Sequence, residues 1–421
     1  MPLFSRRMLS ERVGRWVFWM MFVGFNVTFL PMHLTGLRGM PRRVWTYPGE
    51  MGWDTLNLIS TAGTYVLAAG ILVFLVDLAA KFRIGNRAVE NPWGAGTLEW
   101  LPNDVYSTRS IPHITSREPL WDRPSLPQEV RDGHHYLPNA PTGWRETIVT
   151  SPIHARPQYV IQMPGPGWPP FLAAVFTAAF FLLLTVKMVA IAVICGVLAI
   201  VFVLAWAWGL DPGPSKGMIE IAKGVRLPTY MSGPTSHSWW AMVVLMFVAG
   251  SLYLAYVFSY LFLWVVSPEV WAPAGSPAPP PIGWPAGSAA LLLAGSGILW
   301  LVSRKLQQYA ASRLAMSAAL LLSLVCLTAA FMLETCGHLT TGLNPGENAY
   351  GAMVYLGAVL FAQLVLALLI MGLFTLARHL AGKLDAVRRV TYDNYALLYY
   401  YTVAQSLLGL GLIHGFPRLI G

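Results

Sequence analysis

Nine stretches of this chain are long and apolar enough to cross a bilayer, and that settles its fold class before any other feature. A spanning helix needs about 20 mostly apolar residues. Segments meeting that length lie at roughly 14–37, 55–79, 169–186, 189–210, 239–266, 286–303, 312–333, 350–377 and 394–416. Charged residues are 11% of the chain and hydrophobic ones 56%, where an average soluble domain carries about 25% charged residues. A soluble enzyme, a disordered chain and a fibrous repeat are excluded. What remains is an all-α integral membrane protein of about nine helices.

The third and fourth segments run together with only Lys187 between them, which predicts a tight helical hairpin over 169–210. Arg6, Arg7, Arg12 and Arg15 precede or open the first segment, as in the head of a signal peptide. The apolar core that follows is too long for one and no small-residue cleavage site succeeds it, so it reads as a retained span.

Charge asymmetry predicts the orientation. With the N-terminus in the cytoplasm and nine alternations, 23 of the 28 Lys and Arg fall on the cytoplasmic side. The outer side holds Arg38, Arg42, Arg43, Lys187 and Arg418. The C-terminus is then outside and the long loop 80–168 is cytoplasmic, as the positive-inside rule requires. The net charge of +9 belongs to these loops and does not imply nucleic acid. Loop 80–168 shows no sustained strand alternation or helical stripe and reads as ordered coil against the membrane face or a partner. Residues 272–285 form a Pro-rich outer connector.

Few residues offer chemistry. Of the nine His, His134 and His135 are adjacent in a polar loop, and neighbours in sequence do not share a helix face. His113, His154 and His237 also lie in loops. His33, His379 and His414 lie in or near spans but apart from one another, and Cys336-Gly337-His338 is a weak pair at an outer helix end. These read as satisfied or interfacial histidines, and no metal ligand is expected. Asp77 and Glu334 sit near span ends and Asp54 near a start; Asn26 and Gln363 are the main deep amides. The small-residue runs Ala249-Gly250-Ser251 and Gly295-Ser296-Gly297 suit close helix packing. No phosphate-binding loop or nucleophile elbow is present, and no catalytic residue is expected. One stretch stands out: Arg42 and Arg43 break the charge rule on the outer side. Paired guanidiniums suit bidentate binding of carboxylate or phosphate, and the competing reading is an anchor to lipid headgroups.

That pair lies inside a longer pattern. Residues 8–51, MLSERVGRWVFWMMFVGFNVTFLPMHLTGLRGMPRRVWTYPGEM, resemble the last two-helix segment of subunit I of the haem–copper cytochrome c oxidases. The resemblance continues through Asn57, Asn91-Pro92-Trp93-Gly94-Ala95-Gly96-Thr97-Leu98-Glu99-Trp100 and Arg117-Glu118-Pro119-Leu120-Trp121-Asp122. Residues 227–266, 286–305 and 312–355 resemble helices of subunit III, so the chain looks like the bacterial type in which subunits I and III are fused. The resemblance divides it into a subunit I-like region at 1–125, a cytoplasmic linker at 126–168, the hairpin at 169–210 and a subunit III-like bundle at 211–421. It implies a subunit of the aerobic terminal oxidase that takes electrons from cytochrome c, reduces O₂ to water and translocates protons, in a bacterial inner membrane.

The family's haem and copper ligands lie on subunit I helices that would precede Met8. Haem and copper are therefore expected in a partner carrying the remaining subunit I helices, beside subunit II, and the isolated chain is expected to be inactive. In the family the arginine pair matching Arg42 and Arg43 meets the haem propionates, which makes these two the implied cofactor-binding residues. The family's membrane-embedded glutamate corresponds to Ala249, and its Phe-His-Gly-Leu-His run to Phe361-Ala362-Gln363-Leu364-Val365. The rival readings are a non-catalytic membrane scaffold, a decayed oxidase remnant and, behind these, a transporter.

Overall fold

The computed structural model describes residues 1–101, 111–137, 146–151, 153–163, 167–210, 213, 217–222, 224–272, 277–307 and 312–420. Residues 273–276 of the Pro-rich connector lie outside them. The contacts divide the chain into two units, Met1–Ala140 and Pro141–Gly421. Among the described residues, eight helices are long and apolar enough to cross a membrane. A ninth, Pro169–Thr185, is apolar and 17 residues long. The all-α membrane architecture expected from hydropathy is the one observed.

In the first unit, α1 (Glu11–Leu37) and α2 (Asp54–Ile84) pack against each other along their length. Without water to expel between helices, such packing depends on close backbone approach through small residues. Gly24 of α1 faces Leu67 of α2, and a Cβ there would lie 2.5 Å from the Leu67 backbone nitrogen. Gly63 of α2 faces Thr28 in the same way, with a Cβ 2.5 Å from its backbone nitrogen. The start of α1 is fixed by Ser10, whose hydroxyl accepts from the Val13 N–H at 3.3 Å. Its own N–H donates to Asp77 at 3.1 Å, so Asp77 places an anion at a helix N-terminus. The remaining faces of both helices expose large apolar side chains, among them Trp16, Phe18, Trp19, Leu58 and Leu72, as suits surfaces meeting lipid or further helices.

Beyond α2, Asn91 brackets its own turn: its side chain accepts from the Ala95 N–H at 2.9 Å and donates to the Ala95 carbonyl at 2.8 Å. Trp121 donates from Nε1 to the Gly94 carbonyl at 2.7 Å, and the Leu120 N–H donates to the Gly96 carbonyl at 2.9 Å. The two polar motifs separated in sequence thus dock as one piece. Short helices at Pro119–Asp122 and Leu126–Arg131 bury Leu120, Leu126 and Val130.

The second unit begins with an antiparallel pair, β1 (Glu146–Thr150) and β2 (Pro157–Gln162), and a second pair follows, β3 (Met218–Ala222) and β4 (Val225–Pro228). The first pair corrects the reading of loop 80–168 as coil. The strands are short and rich in β-branched residues, and alternation over five or six positions is too brief to stand out in a polar loop. The predicted hairpin is present: α3 (Pro169–Thr185) turns through Val186–Met188 into α4 (Val189–Gly209), with Lys187 in the left-handed region at φ 62°.

Five further helices form the bundle: α5 (His237–Val266), α6 (Gly283–Gln307), α7 (Arg313–Thr340), α8 (Ala349–Leu380) and α9 (Val390–Leu410). The chain continues from α9 as a π-helical segment, Gly411–Gly415, and a last turn, Phe416–Ile420. Ser312 and Asn348 cap α7 and α8, accepting from the N–H groups of Ala315 and Gly351.

The core centres on α9. Tyr392, Tyr395 and Tyr399 are spaced to share one helix face and are fully buried among Leu292, Leu299, Leu320 and Leu368. Buried hydroxyls need partners in an apolar medium. Tyr392 donates to the Leu299 carbonyl, Tyr399 to the Ser323 carbonyl at 3.1 Å, and Tyr395 shares a 2.9 Å bond with the Ser323 hydroxyl. Gly295 leaves the room that Tyr399 fills, as close packing requires, whereas Gly297 faces open space. In the α8–α9 turn, burial pushes the Asp385 carboxyl up. The N–H groups of Arg388 and Val387 and the Arg388 guanidinium more than offset this and hold it below its ordinary range.

Candidate functional site

Arg42 and Arg43 sit in the connection between α1 and α2, and both are exposed. Arg43 is left-handed, with φ 64°. The connection is tied down on either side of them. Trp53 donates from Nε1 to the Arg38 carbonyl at 3.1 Å, Asn57 donates to the Tyr47 hydroxyl at 2.8 Å, and the rings of Tyr47 and Trp53 meet edge to face at 5.4 Å. Among the described residues neither guanidinium has a hydrogen-bond or ion-pair partner. Two adjacent guanidiniums on a tethered connection could take an external anion, and a carboxylate fits each in bidentate fashion.

Most other residues singled out by sequence are absorbed locally. Asn26 donates to the Phe22 carbonyl of its own helix at 2.8 Å, and Gln363 faces outward. His33 bonds the Phe29 carbonyl and His379 the Arg313 carbonyl, at 2.9 and 3.1 Å. His237 bonds Tyr159 at 2.5 Å, and burial raises the Tyr159 phenol above its ordinary value.

A second group of residues comes together that the sequence reading kept apart. Glu334 and His338 lie one turn apart on α7, a spacing that places both on one face. His414 reaches them from the π-helical segment, and such segments recur at functional sites. Glu334 Oε1 accepts from His338 Nε2 at 3.1 Å and from His414 Nε2 at 2.7 Å. The two imidazoles stack with centroids 4.9 Å apart and planes inclined by 23°. All three residues are buried, with relative exposures of 6%, 3% and 2%. His414 is thus not isolated, and the partner of His338 is His414 rather than Cys336, which is exposed. The Glu-x-x-x-His spacing was a legible half of this cluster. Nothing local pointed to His414, because only the tertiary fold brings it there.

The comparisons with known proteins bear first on the N-terminal segment that carries Arg42 and Arg43. Residues 1–66 match the family described as Cytochrome C and Quinol oxidase polypeptide I. The chain is 40% identical over 124 residues to cytochrome c oxidase subunit 1 of Alkalihalophilus pseudofirmus, covering 28% of this chain and 20% of that protein. It is 35% identical over 185 residues to cytochrome c oxidase subunit 1 of Bacillus sp. strain PS3, covering 42% and 27%. Quinol oxidase subunit 1 of Bacillus subtilis is 38% identical over 116 residues, covering 26% and 18%. The chain thus spans about a quarter or less of the length of these relatives. Its N-terminal region is related to subunit 1 of terminal oxidases, and Arg42 and Arg43 lie within the matched residues.

Proposed function

We propose that the chain is a membrane subunit of an aerobic terminal oxidase, the complex that passes electrons from cytochrome c to O₂ and translocates protons. In this reading α1 and α2 form part of the haem-pocket wall, and Arg42 and Arg43 hold propionates of the haem of the complex. Residues 211–421 act as the subunit III-like bundle. The setting is a bacterial inner membrane, with the N-terminus inside.

The observation that carries the reading is the free arginine pair within a segment matching oxidase polypeptide I. Haem, when bound, supplies the electron-carrying iron; the contribution of this chain is positioning and electrostatics. A guanidinium fork satisfies both oxygens of a carboxylate, and a charge-assisted bond of this kind contributes roughly 1.5–3 kcal/mol. The two positive charges also lower the cost of adding an electron nearby.

The test is an Arg42→Gln/Arg43→Gln double variant in the assembled complex, followed by redox titration of the haems. Lower midpoint potentials or lost haem are expected. Unchanged potentials together with unchanged haem content would reject the clamp in favour of a lipid-headgroup anchor.

A further inference from the structure

We infer that Glu334, His338 and His414 form a binding site for a divalent transition-metal ion, with Zn²⁺ the best match to the ligand set. The site lies in the second unit, outside the segment matched to oxidase polypeptide I, and does not depend on the proposed function.

The donor atoms are already gathered. One carboxylate oxygen and two imidazole nitrogens lie within 4.8 Å of one another. Both Nε2 atoms converge on the same Oε1, at 3.1 and 2.7 Å. Tetrahedral zinc with bonds of about 2.0–2.1 Å sets its ligands about 3.3 Å apart. A small rotation of the carboxylate opens the observed spacings to that value. Two His and one Glu make a common three-ligand zinc set, which leaves a fourth position for water.

The metal-free arrangement leaves too much unsatisfied. Glu334 Oε2 is buried without a hydrogen-bond partner. A cavity of about 30 Å³ opens beside Glu334 and His338, and it is also lined by Tyr253 and Ser406. The hydroxyls of those two residues are buried and unpartnered as well. This volume exceeds what one water requires, and the walls offer the several polar partners an ordered water needs. A buried carboxylate is costly without a compensating cation. A divalent ion would take the two Nε2 lone pairs and the carboxylate, and its water would occupy the cavity and meet the orphaned hydroxyls.

The surroundings hold the ligands in place. Tyr350 donates to the Ile413 carbonyl at 3.3 Å and Arg418 to the His414 carbonyl at 2.6 Å, which fixes the π-helical segment. On the other side, Trp284 of α6 packs against Gly337, between the two α7 ligands. The ion would staple the end of α7 to the π-helical segment that follows α9.

The full-length chain, purified without a polyhistidine tag, would be stripped with a chelator, reloaded with Zn²⁺ alone and desalted. Metal content, zinc-edge X-ray absorption and thermal unfolding would then be measured. About one zinc per chain is expected, with two imidazoles and an oxygen donor at about 2.0–2.1 Å, and stripping should lower the melting temperature. His338→Gln and His414→Gln should each weaken binding by more than the ~10–100-fold that loss of an outer partner costs. His33→Gln should leave binding unchanged. His414→Asp, which keeps a ligand, should bind more weakly than wild type but detectably. A wild-type chain that holds no zinc after reloading, or an absorption spectrum without imidazole, would overturn the site and leave a hydrogen-bonded triad. Both readouts use the wild-type chain and stand even where a variant fails to fold.

Discussion

Glu334 accepts a 2.7 Å hydrogen bond from His414, a residue 80 positions further along the chain. The relationship exists because α7 and the segment after α9 end at the same level of the bundle. It also exists because the helical register changes at Gly411–Gly415, where a π-helical turn carries His414 into the interior. A buried carboxylate facing two imidazoles is rare in an apolar bundle, where ionisable groups are expensive unless paired. Around the α8–α9 turn, by contrast, charges pair locally: Arg388 closes on Asp385 at 2.8 Å, and Arg389 on Asp393 at 2.7 Å.

Orientation is open to direct measurement. Of the 28 Lys and Arg, 23 lie in segments assigned to the cytoplasm, and charge bias in short loops is what sets topology. Reporter fusions after Leu137 and after Pro277 are expected to report opposite sides of the membrane, the first cytoplasmic and the second external. Both reporters on one side would contradict the nine-helix topology and the outward placement of Arg42 and Arg43.

A pH dependence is expected in the polar segment after α2. Glu129 bonds His135 at 2.9 Å and Ser125 at 2.7 Å, and it pairs with Arg123. The His135 and Ser125 bonds, with Arg123, draw its carboxyl down from 4.5 to about 2. A carboxyl depressed on folding stabilises the fold fully above its ordinary value. That contribution is lost as pH falls from there through the folded value. Pepsin cleavage within residues 119–135 should therefore accelerate as the pH drops from about 4.5 towards 2. Glu129→Gln should be susceptible already at the upper end. A wild type and variant with the same profile would show that Glu129 does not hold this segment.

The membrane helices were legible because length and apolarity act over twenty residues at a time. Each of the nine appears within a few positions of its expected bounds, apart from extensions such as α2, which runs on to Ile84. That extension is a basic turn: Lys81 and Arg83 complete α2 at its C-terminus, where cations complement the negative end of the helix dipole. The strands were not legible, because β1 and β2 gain their stability from each other rather than from a pattern within either. The site was legible in part. Arg42 and Arg43 stood out as a break in the charge rule, which needs nothing but the sequence to see. The Glu334 cluster escaped because its defining contact is tertiary, and because histidines distributed among spans look alike until the packing sorts them. His33 and His379 each bond a single carbonyl, while His338 and His414 face a shared carboxylate.

The packing of α1 on α2 gives the last prediction. Gly24 and Gly63 lie at the crossing, where the backbone of the partner helix comes within 2.5 Å of where a Cβ would stand. Real side chains do not tolerate that separation, and the obstructing atoms are backbone, which cannot rotate away. Gly63→Leu must therefore push α2 from α1. Helix association inside a membrane rests on such close packing, so little else compensates for the separation. The Ser10–Asp77 bond at one end and the Trp53–Arg38 bond at the other depend on the same approach. A cysteine pair placed across the interface at Thr28 and Gly63 would itself disturb it, so the reporter belongs at the ends. Cysteines at Ser10 and Asp77 are expected to cross-link readily in the chain with Gly63 intact and poorly with Gly63→Leu. Gly36→Leu, at a position with nothing near its would-be Cβ, should leave the cross-link unchanged. Equal cross-linking in all three would mean that α1 and α2 do not owe their pairing to these glycines.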